Sequence, residues 1–385
     1  EGDGRFAVEG EGGAGGLGEL RFAAAFPHVG DVNKTPAPDA QERTGFKIVG
    51  KMGARGTPRR SKSGMITRRL GLALPFLSLA AASSAQTPTW PSRPIRLIVP
   101  FAPGGTTDVV GRLAAEKLGP RLGQTMLVEN RPGAGATLGA QLVARAEPDG
   151  HTLLVSSSTS HGVSPAIYPN IGYDPMADFA HIALLSRTPP ALLVTRNHPA
   201  RNIQEYLAQG RREKELTLAV AAIGTSSHLA GVRLGQAMGV EVRSVVYRGV
   251  GPALTDVIAG IVPGIIDSLP SAVGHIRSGS LRALALLSEA RSPLFPDLPT
   301  MREAGLDVVS AAWFGLSAPA ATPAPILARL TRETQGILAE PETRARLEEL
   351  GGAPPPWSPA EYSAFIQSEL EKLGALARAA GIKPQ

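Results

Sequence analysis

Ile95–Arg112 reads IRLIVPFAPGGTTDVVGR, and the order of residue types along it decides the fold class. IRLIVPF (95–101) is a short, continuous apolar run, as a fully buried parallel strand requires. Pro100 and Pro103 stiffen the strand exit, and Gly104-Gly105 remove side chains where the backbone must bend or be approached closely. Beyond them Val109, Val110, Leu113, Ala114 and Leu118 recur on one helical face. Thr106 and Thr107 are the expected N-caps, and Asp108 in the first turn suits the helix dipole. The free N–H groups of such a helix start open on the crevice beyond the strand's carboxyl end, where open α/β sheets bind ligands. A carboxylate is a natural guest there, although a plain β–α turn with a capped helix accounts for the same residues.

The same alternation extends in both halves of the chain. TMLVEN (125–130) and HTLLVSSS (151–158) are the next strands, with the helical pattern ATLGAQLVARA (136–146) between them. A β-α-β-α-β order calls for a parallel sheet with right-handed crossovers. PALLVTRNHP (190–199) reads as a strand running into a loop, followed by the helix NIQEYLAQGRREK. A second set then runs ELTLAVAAIG (215–224), helix HLAGVRLGQAMG, strand EVRSVVY, helix GPALTDVIAG, strand IVPGIIDSLP and strand LRALALLS. WFGLSAPA (313–320) is a strand that carries the chain back, and two helical patterns follow, separated by a turn at APPPW (353–357). Two α/β lobes are expected, lobe 1 from 86–194 plus 314–385 and lobe 2 from 195–313. The crossings are expected near Leu193–His198 and Ala311–Pro319.

The beginning of the chain is different. Residues 1–64 include EGEGGAGGLGEL (9–20) and ARGTPRRSK (54–62) without sustained periodicity, so they bury too little apolar surface to offset their ordering entropy. They are expected to be disordered, or an over-extended reading of the gene. Met65 opens MITRRLGLALPFLSLAAASSAQ: Arg68-Arg69 form a positive region, Leu70–Ala82 an apolar stretch of 13 residues, and Ser83-Ser84-Ala85 a small-residue cleavage site. A cleaved export signal over 65–85 and a periplasmic destination are the expectation, by either the general or the twin-arginine route.

Residues 1–85 hold 12 of the 39 Lys/Arg and 8 of the 33 Asp/Glu, so the rest balances 27 against 25 and loses most of the whole chain's +6. That is not the footprint of a nucleic-acid binder. The 385 residues contain no cysteine, which excludes a disulfide framework, a thiolate metal site and a lipid-modified cysteine.

A family resemblance rests on RPIRLIVPFAPGGTTDVVGRLAAEKL, VENRPGAGATLGAQLVARAEPDGHTLL, YDPMADFAHI, GTSSHLAG, VVYRGVGPALTDVIAG, LRALALLSEARSPLFPDLPTMREAG and WFGLSAPAATP, in that order over 92–385. The chain resembles the Bug family of extracytoplasmic solute receptors, the substrate-binding proteins of tripartite tricarboxylate transporters. The resemblance implies an α/β, two-lobed periplasmic binding protein (type 2, Venus-flytrap) with two crossing hinge segments. It implies a monomer that closes on a small carboxylate (dicarboxylate, tricarboxylate, amino acid or aromatic acid) without a cofactor or metal and delivers it to membrane transporter subunits.

Carried onto this sequence, the first-lobe loop supplies Phe101, Pro103, Gly104, Gly105, Thr106, Thr107 and Asp108. The loop after the third strand supplies Ser157, Ser158, Thr159 and His161. The second lobe supplies Gly224, Thr225, Ser226, Ser227 and His228, with Tyr247, Gly249 and Asp267 completing the wall. Two departures stand out: Ala222 replaces a glycine common in the family, and GAGAT (133–137) replaces the more usual GAGGT. His161 and His228 also fit structural roles, and Asp108 fits either a dipole partner or a contact for a ligand amine.

Other classes are weaker. GAGATLG (133–139) has the loose spacing G-x-G-x-x-x-G, and the next strand ends in serines with no acidic residue for a ribose hydroxyl. No G-x-S-x-G elbow or H-E-x-x-H stands in 86–385, so a serine hydrolase or metalloenzyme lacks its signature. A receptor that presents its ligand to a sensor kinase has the same sequence features as one serving a transporter.

Overall fold

The structure, a computed structural model, describes residues 90–382 apart from positions 169 and 353. The segment 1–64 and the export signal over 65–85 lie outside the described residues.

In chain order the elements are β1 (Ile95–Val99), α1 (Thr106–Leu122), β2 (Met126–Asn130), α2 (Thr137–Ala144), β3 (Thr152–Ser157), α3 (Ser164–Ile167) and β4 (Phe179–Thr188). There follow β5 (Pro190–Thr195), α4 (Ile203–Glu213), β6 (Glu215–Val220), α5 (Ser226–Met238), β7 (Glu241–Val246), α6 (Val250–Ile258), β8 (Gly264–Ser268), α7 (Leu269–Arg277) and β9 (Leu281–Leu286). The chain ends with β10 (Ala312–Pro319), α8 (Ala324–Ala339), α9 (Pro341–Glu349) and α10 (Pro359–Ala379).

The strands form two five-stranded sheets, ordered β2-β1-β3-β10-β4 and β7-β6-β8-β5-β9. In the first, β1 is parallel to β2 and β3, and β10 runs antiparallel between β3 and β4. In the second, β6 is parallel to β7 and β8, and β5 is antiparallel to β8 and β9. Each sheet is covered on both faces. The first lobe packs Leu97, Val99, Val155 and Leu316 with α1 and α8 on one side, and Ile98 and Leu154 with Ala140 and Val143 of α2 on the other. The second packs Leu192, Leu218 and Ile266 with α4 and α5, and Leu193, Ala219 and Ile265 with α6 and α7. Burial on both faces is why these strands read as apolar runs without alternation.

The lobes join at different points from those the sequence suggested. Residues 190–194, expected in lobe 1, pair as β5 with β8 and β9 in the second sheet, so the first crossing is at Pro189 instead of Leu193–His198. The cause is β4, a ten-residue strand absent from the sequence reading, which occupies the last position of the first sheet. Its polar residues hide it: His181 Nδ1 meets Ser317 Oγ at 3.2 Å, and Ser186 Oγ donates to Gly352 O at 3.3 Å. On the return, Ala312 and Trp313 already pair with Thr188 and Arg187, so these two residues stand in the first sheet and not in lobe 2.

Three helices were also missed: α7, α9 and the four-residue α3. α7 was hidden because IVPGIIDSLP continues an apolar run into its first turn, although Ser268 as N-cap and Pro270 in the first turn are helix-start signals. α9 separates the two expected C-terminal helices. No described helix is long and apolar enough to cross a membrane.

Candidate ligand-binding site

The two carboxyl-end edges face each other across a cleft, and the chain has placed helix starts on both sides of it. α1 begins after Gly105, whose φ of −87° and ψ of 170° are extended and which supplies no side-chain cap. This corrects the expectation that Thr106 or Thr107 would cap the helix. With no hydroxyl folded back, the Thr106 and Thr107 amides are left for the cleft. In lobe 2, Thr225 does cap α5, its Oγ1 accepting from His228 N at 3.2 Å. α6 begins at Val250 after Gly249, and α7 begins after Ser268.

These starts enclose a cavity of about 50 Å³. Lobe 1 lines it with Phe101, Gly105, Thr106 and Thr107, with Ser158 and Thr159 at the end of β3, and with Ala312 and Phe314. Lobe 2 adds Ala221, Thr225, Ser226, Ser227, Val250, Asp267 and Ser268. Asp267 is the only ionisable side chain among them. The volume is far below the several hundred Å³ of drug-sized sites, so the guest is small or the lobes part to receive it.

The lobes touch around this cavity. Thr106 Oγ1 lies 2.8 Å from Ser271 Oγ, Ser158 Oγ 3.4 Å from Ser226 Oγ, and Tyr168 OH donates to Ile223 O at 3.0 Å. Glycines permit the closest approach: a Cβ at Gly249 would stand 2.8 Å from Ala102 Cβ, and one at Gly251 would stand 2.1 Å from Pro103 O. Outside the cavity, Leu229 of α5 packs among Val163, Ile167, Leu373 and Ala377 of lobe 1.

The expected site residues fall into three groups. Phe101, Gly105, Thr106, Thr107, Ser158, Thr159, Thr225, Ser226, Ser227 and Asp267 line the cavity. Pro103, Gly104, Gly224 and Gly249 form the seam between lobes, where Gly104 faces Gly251 and Gly224, at φ 77°, faces Ile167. The others serve the scaffold. Asp108 accepts from Gly104 N at 3.0 Å, Arg112 Nε at 2.9 Å and Asn130 Nδ2 at 2.9 Å. Burial opposes its charge, but these three donors together lower its pKa, so the carboxylate braces the loop and does not face the cavity. Ser157 bonds to Ser160 within its own turn, and Tyr247 OH donates to Asp256 at 2.6 Å. Burial and Asp256 together push the tyrosine up to about 12. His228 Nδ1 accepts from Gly224 N at 3.3 Å, and burial lowers its pKa.

His161 lies inside lobe 1, its ring 4.8 Å from Phe179 and 5.5 Å from His181. Burial, reinforced by His181, holds it well below the ordinary histidine range. Its contact to Ser160 Oγ at 2.9 Å is wholly enclosed, so this Ser–His pair cannot reach a substrate. GAGAT lies outside the cavity wall, with Ser164 Oγ donating to Gly135 O at 2.6 Å. No group of three or more His, Asp and Glu is placed to hold a metal among the described residues.

Ser268 and Ser271 escaped the sequence reading along with α7. Ala221, Val250, Ala312 and Phe314 carry no chemical signature and enter the wall only through the sheet ends that place them.

Two α/β sheets whose helix starts converge on a shared, closed cleft define a two-lobed solute-binding protein. Comparison with known proteins gives it a family. Residues 110–382 match the family of tripartite tricarboxylate transporter family receptors, TctC. Protein BugT of Bordetella pertussis is 34% identical over 317 residues, covering 82% of this chain and 97% of BugT. Among solved structures, periplasmic binding protein BugD is 35% identical with a TM-score of 0.74, over 77% of this chain and 100% of that one. MatC from Rhodopseudomonas palustris, solved with bound malate, is 36% identical with a TM-score of 0.71, over 75% and 100%. The chain belongs to the TctC/Bug family, a family of solute-binding receptors and not of enzymes.

Proposed function

We propose that this receptor works in the periplasm as a monomer, captures a small carboxylate between its lobes and hands it to the membrane subunits of a tripartite tricarboxylate-type transporter. The observation that carries the reading is the convergence of four helix starts, those of α1, α5, α6 and α7, on one cavity. Each turns the positive end of its dipole toward the cavity, and the Thr106 and Thr107 amides of α1 add donors, so together they replace the water around an anion. The hydroxyls of Thr107, Ser158, Thr159, Ser226 and Ser227 supply further donors that adapt to the guest's shape. Closure brings both sets to bear at once, and a guest that touches both lobes shifts the population toward the closed form. The malate seen in MatC is a guest of this chemical class. The export signal expected over 65–85 supports the periplasmic location.

A thermal-shift screen of dicarboxylates, tricarboxylates, amino acids and aromatic acids tests the reading. At a hundredfold excess over Kd, a true guest raises the melting temperature by about 5–10 °C, while sugars and nucleosides leave it unchanged. Stabilisation by neutral sugars but by no acid would refute it.

A further inference from the structure

Asp267 is an anomaly in a site built for an anion. It sits at the end of β8 in the middle of the second sheet, is 3% exposed, and lines the cavity beside three helix starts. No Lys, Arg or His pairs with it among the described residues; it is held by the Ser271 hydroxyl and the Ser268 amide. A buried carboxylate without a cation is costly and calls for a reason. The protein's own support is incomplete. Ser271 Oγ carries one proton, given to Asp267, and accepts in turn from Thr106 of the opposite lobe at 2.8 Å. Closing the lobes therefore completes a Thr106–Ser271–Asp267 chain but brings no positive charge to it. The remaining acceptor capacity of the carboxylate is available only to what occupies the cavity.

We infer that Asp267 is a specificity residue: the guest's carboxylate is held by the helix starts, and its other end must offer Asp267 a hydrogen-bond donor, namely a hydroxyl, an ammonium or an un-ionised carboxyl. This deepens the proposed function and rests on the cleft being a carboxylate site. A plain acid with a second ionised carboxylate or a bare methylene opposite Asp267 leaves that charge buried and unanswered, which is where selectivity between near-isosteres is largest. The sequence offered Asp108 as either a dipole partner or a contact for a ligand amine, but Asp108 is fully engaged in its loop and stands outside the cavity. Burial pushes the Asp267 carboxyl up to about 6, and no other ionisable side chain lines the cavity, so acidification relaxes the demand for a donor.

The test is calorimetric titration with acids matched in skeleton: propionate against lactate and alanine, succinate against malate and aspartate, adipate against 2-aminoadipate. In the native protein at pH 7.5, on any skeleton that binds, the donor-bearing acid is favoured by about tenfold or more over the plain one. At pH 5 that ratio shrinks. In Asp267→Asn, which keeps size and hydrogen-bonding capacity but removes the charge, it falls to within about threefold. Equal binding of plain and donor-bearing acids by the native protein overturns the inference while leaving the carboxylate reading intact, and so does a ratio unchanged in Asp267→Asn. If no acid on any skeleton binds, both fall together. The native ratio and its pH dependence decide the matter even if the variant does not fold.

Discussion

Ala134 has a φ of 45° and Ala136 a φ of 72°, in a region that L-residues enter at a cost of about 1–2 kcal/mol. Both stand in GAGAT, where the family's more usual GAGGT puts glycine at position 136. The two alanines differ in their surroundings. Ala134 is exposed, so Ala134→Gly sheds strain and loses no packing, whereas Ala136 is 1% exposed and its glycine variant gives up a buried methyl. Ala134→Gly is therefore expected to stabilise the protein by about 0.5–1 kcal/mol and Ala136→Gly to be near neutral, read from chemical denaturation. A destabilised Ala134→Gly contradicts this account of the loop. Single residues were the least legible scale in the sequence. Thr106, Ser158 and Ser226 declared themselves as hydroxyls at strand ends. The orientation of Asp108 and His161 did not, because it depends on Asn130, Phe179 and His181, which reach them from elsewhere in the chain, as well as on Arg112 one turn further along α1.

α6 shows how an element can report on closure. Gly251 lies in its first turn without a positive φ, so alanine there is favourable for the helix itself. The added Cβ would stand 2.1 Å from Pro103 O, a contact that exists only when the lobes meet. Gly251→Ala is expected to leave the fold intact and to weaken ligand binding by about tenfold or more, the range of overpacking costs of 1–3 kcal/mol. Unchanged affinity by calorimetry would mean that ligand capture does not need this seam. Continuous apolar runs made β1, β3, β6 and β10 visible in the sequence, and helical periodicity made α1 visible. β4 and α7 were not, since buried polar residues break the pattern of one and the apolar approach from β8 masks the start of the other. The first error moved a lobe boundary; the second concealed Ser268 and Ser271, both placed beside Asp267.

At the scale of the whole molecule, the two-lobe architecture was legible because alternating strands and helices leave few topologies, while the docking of one lobe on the other was not. The acid sensitivity of the protein follows from groups in both lobes. Burial holds His161 well below 6.5 and His181 at about 4, whereas in the unfolded chain both titrate near 6.5. Below pH 6.5 the unfolded state thus takes up protons that the folded state refuses, and each histidine removes up to about 1.4 kcal/mol of stability per pH unit. Asp267 acts in the opposite sense, since its folded carboxyl titrates at about 6 against 3.8 unfolded and acidification returns stability. Two histidines outweigh one carboxyl, so the melting temperature should fall between pH 6.5 and 4.5, and fall more steeply in Asp267→Asn; a flat profile would contradict the buried, neutral state of the histidines. In the proposed function, binding rests on backbone amides from both lobes meeting one negative group. The direct measurement is calorimetric titration with the most stabilising acid of the screen and with its primary amide, the same shape without the charge. Saturable one-to-one binding of the acid, with the amide weaker by about a hundredfold, is the expected result. Equal affinity for the two would show that the converging helix starts do not hold a carboxylate.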